Sequence, residues 1–240
     1  MSFDLSGHTA LITGGGSGLG RAMAHALSDA GAAIIVVGRR AEELEATITG
    51  RNGRAIPLDL LADDAAAALG DSGADILINA AGINPRLPAD DIAPADWERT
   101  IRLNLSVPFF VAQALVPGMR AKGWGRIINI ASLQSERAFQ NGIAYGASKG
   151  GVVQLTRAMA EAWGGAGINA NAIAPGFFPT DLTAPVFGDA DLSARNAGQT
   201  AVGRNGRLDD LDGPVVFFAS DASRFVTGQT LFVDGGYTAK

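Results

Sequence analysis

The sequence predicts an α/β fold: a single domain built on a doubly wound parallel sheet of about seven strands. Three observations predict it. Short runs rich in isoleucine, valine and alanine alternate with longer helix-compatible segments along the whole chain. The first such pair is joined by a glycine-rich turn, Gly14-Gly15-Gly16-Ser17-Gly18-Leu19-Gly20. No internal repeat, linker or second core interrupts the alternation over 240 residues, a length that one large α/β domain can fill.

His8 to Thr13 reads as a buried strand, and Arg21 to Ala30 as a helix with Met23, Ala26 and Leu27 on one face. Strand, glycine turn and helix in that order make the dinucleotide-binding unit of a Rossmann fold. The glycines let the backbone turn sharply and approach a pyrophosphate held at the helix N-terminus. A tight strand–helix turn with no ligand is the plainer alternative. The second strand, Ala33 to Val37, leads to Gly38, Arg39 and Arg40 and not to an acidic residue. A guanidinium there, Arg39 first, suits a ribose 2′-phosphate and favours NADP over NAD. The same arginines also suit a solvated helix start.

Ala41 to Thr49 reads as a helix and Arg54 to Leu58 as a strand ending at Asp59, where a carboxylate can meet an adenine amino group. Ala62 to Gly70 is a short alanine-rich helix, and Asp75 to Ile78 is the fourth strand, followed by Asn79-Ala80-Ala81-Gly82. Two prolines make Ile83 to Pro88 a loop. Asp96 reads as the N-cap of a long helix to Ala121 that contains Asn104 and is kinked by Pro108. Arg126 to Ala131 is the fifth strand, Ile143 to Trp163 a helix, and Ile168 to Ala174 the sixth strand, broken by Pro175-Gly176. Residues 177–206, rich in proline and glycine, read as an irregular substrate lid. A helix from Leu208 to Ser220 and a strand from Thr230 to Val233 close the chain.

Composition narrows the chemistry. Apolar residues are 47 % and charged residues 18 %, enough for a large core, and the formal net charge is −5. No basic run exists for nucleic acid or a membrane surface, and no apolar run is read as long enough to span a bilayer. The N-terminus, Met1-Ser-Phe-Asp-Leu-Ser, does not read as a signal peptide, and a cysteine-free chain fits the cytoplasm. With no cysteine and only His8 and His25, no metal site is expected.

Ser132 to Lys149 carries the reactive pattern. Ser132 ends a strand, whereas Tyr145 and Lys149 lie one turn apart on one helix face. A cation beside a phenol favours the phenolate, so the ammonium of Lys149 is expected to bring Tyr145 closer to working pH. Ser132 can donate a hydrogen bond to a carbonyl or alcohol oxygen, and the group as a whole can move a proton on or off that oxygen. An ordinary surface Tyr–Lys pair is the alternative.

The chain resembles the short-chain dehydrogenase/reductase family along nearly its whole length. The resemblance rests on Thr13-Gly14-x-x-x-Gly18-x-Gly20, Asn79-Ala80-Ala81-Gly82, Asn104, Ser132, Tyr145-x-x-x-Lys149 and Pro175-Gly176. It implies Tyr145 as general acid/base, Lys149 bonding the nicotinamide ribose, Ser132 on the substrate oxygen and Asn104 anchoring a water in a proton relay. It also implies Gly14, Ser17, Gly18, Leu19 and Gly20 around the pyrophosphate and Asp59 and Leu60 at the adenine. Asn79, Ala81 and Gly82 would lie behind the adenosine ribose, and Pro175, Gly176, Phe178 and Thr180 at the nicotinamide end. Three departures stand out: Ala80 replaces a second asparagine, Phe178 replaces a smaller aliphatic residue, and the segment from Asp59 to Asp75 is short.

Within the family, Ser132-Leu133-Gln134, Gly82-Ile83-Asn84-Pro85-Arg86 and Asp234-Gly235-Gly236-Tyr237 are similar to the sugar-acid branch, the gluconate 5-dehydrogenases and 2-dehydro-3-deoxygluconate 5-dehydrogenases. Gln134, Asn84, Gln140 and Asn141 offer amides to a polyhydroxy substrate, and Arg86 offers a cation to a carboxylate. Phe139, Phe177 and Phe178 favour a flatter ketone. A 3-oxoacyl-thioester reductase and a catalytically silent nucleotide-binding module are the other readings. The resemblance further implies a homotetramer, assembled through the helices that carry Asn104 and Tyr145.

Overall fold

The computed structural model describes residues 3–240; Met1 and Ser2, the first residues of the stretch read as lacking a signal peptide, lie outside them. Seven parallel strands form one sheet: β1 Thr9–Thr13, β2 Ala33–Gly38, β3 Gly53–Pro57, β4 Ile76–Asn79, β5 Gly125–Ile130, β6 Ile168–Pro175 and β7 Thr230–Val233. Their order is β3-β2-β1-β4-β5-β6-β7, with Thr13 level with Val37 on one side and Asn79 on the other. Parallel strands covered on both faces have to be apolar throughout. β5 and β6 are buried at every position.

Helices cover both faces. On one, α1 (Gly18–Asp29) and α8 (Asp212–Ala219) bury Met23, Leu27, Val215 and Phe218 against Ile12, Val36, Ile78 and Ile128. On the other, α4 (Val107–Lys122) and α5 (Ile143–Trp163) bury Val111, Leu115, Met119 and Met159 against Leu11, Leu77 and Ile127. The strand order reverses between β1 and β4, so the loops at their carboxyl ends diverge and leave a crevice, the usual place for a ligand in such a sheet.

Four expectations change. The helix from Asp96 to Ala121 begins earlier, at Pro94 with Ala93 as N-cap, and Asp96 sits in its first turn. It runs as α3 (Pro94–Ile101), a π turn over Arg102–Ser106 and then α4. The distortion centres on Asn104, one turn before Pro108. A proline ring crowds the preceding turn, and a widened turn relieves that crowding. Second, the stretch Pro94–Lys122 spans 29 residues with a window of mean hydropathy 1.2, so by length and composition it does reach bilayer-spanning size. It packs Val111, Ala112, Leu115 and Val116 into the sheet and turns Gln113 and Arg120 outward.

Third, the alanine-rich segment tightens into a 3₁₀ turn over Ala67–Ser72, and the Leu208 helix starts as a 3₁₀ turn before α8. Fourth, residues 177–206 are more regular than their prolines and glycines suggest. They contain α6 (Ala184–Phe187) and α7 (Ala190–Gln199), and the Asp189 side chain caps α7 by accepting from Leu192 N at 2.9 Å.

Candidate active site

Four strand ends deliver the site. β1 ends at the glycine turn, β4 at Ala80-Ala81-Gly82, β5 at Ala131-Ser132 and β6 at Pro175-Gly176. Small residues here are a packing requirement. A Cβ on Gly14, whose φ is +69°, would lie 2.9 Å from Ala81 Cα, and one on Gly20 would collide with the Gly14 carbonyl. The glycine turn is thus folded tightly on itself and on the β4 end, with the first-turn N–H groups of α1 lacking intrahelical acceptors. That is the cradle an anionic pyrophosphate needs.

Ser132 is 8 % exposed and opens a 3₁₀ turn over Leu133–Ser135, its Oγ accepting from Gln134 N at 3.1 Å. Ser135 Oγ accepts from Ser132 N at 3.3 Å and donates to Lys149 O at 2.8 Å, so one hydroxyl joins the β5 end to α5. Tyr145 and Lys149 are both buried on α5, and the Lys149 ammonium lies 5.6 Å from the Tyr145 ring centre. Lys149 Nζ donates to Ile130 O at 2.6 Å.

The electrostatics differ from the expected pairing. Burial pushes the Tyr145 phenol above its ordinary value. A hydrogen bond with Ser132 and the positive field of Arg86 pull it back without cancelling that effect. The positive field that acts against burial at the phenol comes from Arg86. Burial also pulls Lys149 down to about 8, because the interior disfavours its charge.

Asn104, 1 % exposed, clamps the loop after β4. Its Oδ1 accepts from Ile83 N at 2.9 Å, while its Nδ2 donates to Ile83 O at 2.9 Å and to Ser148 Oγ at 3.1 Å. The π turn orients this amide toward Gly82, where an added Cβ would sit 3.2 Å from Asn104 Oδ1 and 3.8 Å from Lys149 Nζ.

The cleft between these elements has a volume of about 110 Å³. Leu19, Gly82, Ser132, Tyr145, Lys149, Pro175, Gly176, Phe178 and Thr180 line it, as do the substrate candidates Arg86, Gln134 and Phe177. Phe177 is held in an aromatic group with Phe139 and Tyr237, at centroid distances of 6.0 and 5.7 Å. Among the described residues, the buried amide oxygens of Asn84 and Gln134 have no hydrogen-bond partner. Gln134 Oε1 abuts Gly142, where an added Cβ would press on it.

Several expected residues do not line this cleft. Asn79 turns its amide inward, donating to Asn129 Oδ1 at 2.9 Å and Pro108 O at 3.2 Å. Asn141, in the left-handed region at φ 60°, lines a small side cavity beside Arg86 and Tyr145, outside the main cleft. Asp59 is exposed and accepts from Leu61 N at 3.0 Å, and Leu60 lines a groove beside α4. Arg39 and Arg40 are both exposed, and Arg40 NH2 donates to Ser17 Oγ at 2.9 Å and so reaches the glycine turn. Of the two adjacent arginines, Arg40 is the one with a hydrogen bond to the glycine turn.

Leu182 and Thr183 also line the cleft and were not singled out from the sequence. The Thr-x-x-Thr spacing at Thr180 and Thr183 is the signal that marks them, since it makes a reciprocal cap over the turn Asp181–Thr183.

Residues 14–238 match the family model described as Enoyl-(Acyl carrier protein) reductase. The chain is 39 % identical to the gluconate 5-dehydrogenase of Gluconobacter oxydans (strain 621H), over 98 % of this chain and 96 % of that one. It is 40 % identical to the 2-dehydro-3-deoxy-D-gluconate 5-dehydrogenase of Escherichia coli (strain K12), over 100 % of this chain and 98 % of that one. A crystal structure of a gluconate 5-dehydrogenase from Burkholderia cenocepacia J2315, in complex with NADP and tartrate, superposes with a TM-score of 0.95 at 42 % identity, covering 100 % of this chain and 98 % of that one.

Proposed function

The chain belongs to the short-chain dehydrogenase/reductase family, and from that premise we propose that it interconverts a secondary alcohol and a ketone on a sugar acid or polyol, of the gluconate or 2-dehydro-3-deoxygluconate type. NADP is the favoured cofactor, ahead of NAD. One observation carries the substrate reading: Arg86 and the unpartnered amides of Asn84 and Gln134 stand in the same cleft as Ser132 and Tyr145. An amide buried without a partner disfavours an apolar ligand, and a hydroxyl-rich one satisfies it. Arg86 supplies the complementary charge for a carboxylate.

The nicotinamide cofactor, when bound, supplies the hydride acceptor or donor. The glycine turn with the α1 N-terminus would hold its pyrophosphate, Arg40 a 2′-phosphate, and Lys149 its nicotinamide-side ribose. Pro175, Gly176, Phe178 and Thr180 would border the ring. Everything else falls to side chains of the cleft. Ser132 holds the reacting oxygen by a hydrogen bond and fixes its distance from the phenol. Tyr145 takes the proton from that oxygen in oxidation and returns it in reduction. Arg86 and Ser132 make this feasible by opposing the burial that raises the phenol's pKa. Lys149 keeps the ribose side positive, and Asn104 fixes the loop after β4 so that these groups stay in register.

A 3-oxoacyl-thioester reductase is the second reading; the description of the matching family model shares with it an acyl-carrier thioester, though of an enoyl group and not a ketone. The net charge of −5 counts against docking an acidic carrier protein. The test is a substrate panel with NADP and NAD: gluconate, 2-dehydro-3-deoxygluconate, a four-carbon polyol and a 3-oxoacyl thioester. Turnover confined to the thioester would overturn the sugar-acid reading. We further propose a homotetramer in the cytoplasm. The assembly is supported by Trp97, Phe110 and Ile143, which expose 39 %, 51 % and 50 % of their surface on α3, α4 and α5.

A further inference from the structure

Thr180 lies against the glycine turn, so that a Cβ on Gly18 would sit 3.1 Å from its methyl group. The reciprocal cap between Thr180 and Thr183 fixes the turn that follows. Two arginines from opposite sides of the cleft reach that turn. Arg86 NH2 donates to Leu182 O at 3.3 Å from the substrate side. Arg40 NH2, which donates to Ser17 Oγ, lies 3.5 Å from Asp181 Oδ2 on the cofactor side. Asp181 is the carboxylate paired with Arg40 among the described residues.

We propose that Asp181 is a cofactor-specificity residue that restrains the preference for NADP over NAD by competing with the 2′-phosphate for Arg40. The proposal rests on the cofactor reading above and adds a residue to it. NAD carries a neutral ribose diol at that position, so the Arg40–Asp181 pair persists when it binds. A 2′-phosphate is close to doubly charged at neutral pH and draws the same guanidinium away from Asp181. The pair is lost only with NADP, and so its strength is subtracted from NADP affinity alone. Both side chains are more than half exposed, which keeps the effect small and sensitive to salt.

The experiment is calorimetric titration of the full chain with NADP and with NAD, for wild type, Asp181→Asn, Arg40→Ala and the double variant. Asp181→Asn should tighten NADP about two- to fivefold and leave NAD unmoved. The gain should vanish in the Arg40→Ala background and shrink in high salt. Equal shifts for both cofactors, no shift, or a gain that survives Arg40→Ala would overturn the proposal while leaving the enzyme reading intact. If wild type binds neither cofactor, that reading falls and takes this one with it. Asp181 is 78 % exposed, so its amide variant does not threaten the fold.

Discussion

At the scale of single residues, burial sets the chemistry of the cleft as much as pairing does. Tyr145 and Lys149 share a helix face, as their spacing requires, but each is desolvated and the ammonium is engaged by Ile130 O. Replacing Arg86 by glutamine removes a charge that lowers the Tyr145 pKa. The alkaline rise of the oxidation rate should therefore move to higher pH, with KM for a carboxylate substrate increasing about tenfold or more. A pH–rate profile with a sugar acid and a neutral polyol checks both; an unshifted profile for either would count against the role of Arg86. Lys149 gives a stability test. Its folded value of about 8 lies below the ordinary 10.5, so above pH 8 the unfolded chain holds the extra proton. Stability then rises with pH across that window. Wild type should gain on Lys149→Met in melting temperature between pH 8 and 10, and a constant difference would contradict the burial argument. Spacing made the tyrosine, lysine and serine legible in the sequence. The effect of Arg86 on the phenol was not legible, because it comes from a loop far away in the chain.

At the scale of elements, the strands were the easiest to read. Parallel strands covered on both faces become short, uninterrupted apolar runs, and β7 and α5 fall on their expected residues. The helices needed more than periodicity. The π turn at Asn104 depends on Pro108 and on the clamp to Ile83, a long-range contact. The order within 177–206 depends on Asp189 and Thr180 caps set among prolines and glycines that mark turns when read alone. The glycine turn is the element with least tolerance. Gly20→Ala puts a methyl group into the Gly14 carbonyl, which is backbone and has nowhere to move. We expect a lowered melting temperature and loss of NADP binding together, measured by thermal shift with and without cofactor. A variant with wild-type affinity would show that the turn does not have to be this tight.

At the scale of the whole molecule, the sheet gathers four strand ends at one edge, and the helices behind them leave apolar surface open. Light scattering should give a mass close to four times 24.5 kDa, and Phe110→Glu, on the exposed face of α4, should reduce it. A monomer in wild type at micromolar concentration would remove the assembly claim without touching the site. The central claim is proton transfer by Tyr145 to or from a sugar-acid oxygen beside the cofactor. The measurement closest to it is NADPH formation from gluconate by wild type and Tyr145→Phe, with NADP affinity determined for both. The account predicts turnover in wild type, a loss of about 10²–10⁴-fold in the variant and unchanged NADP binding. Comparable turnover in the two proteins would contradict it.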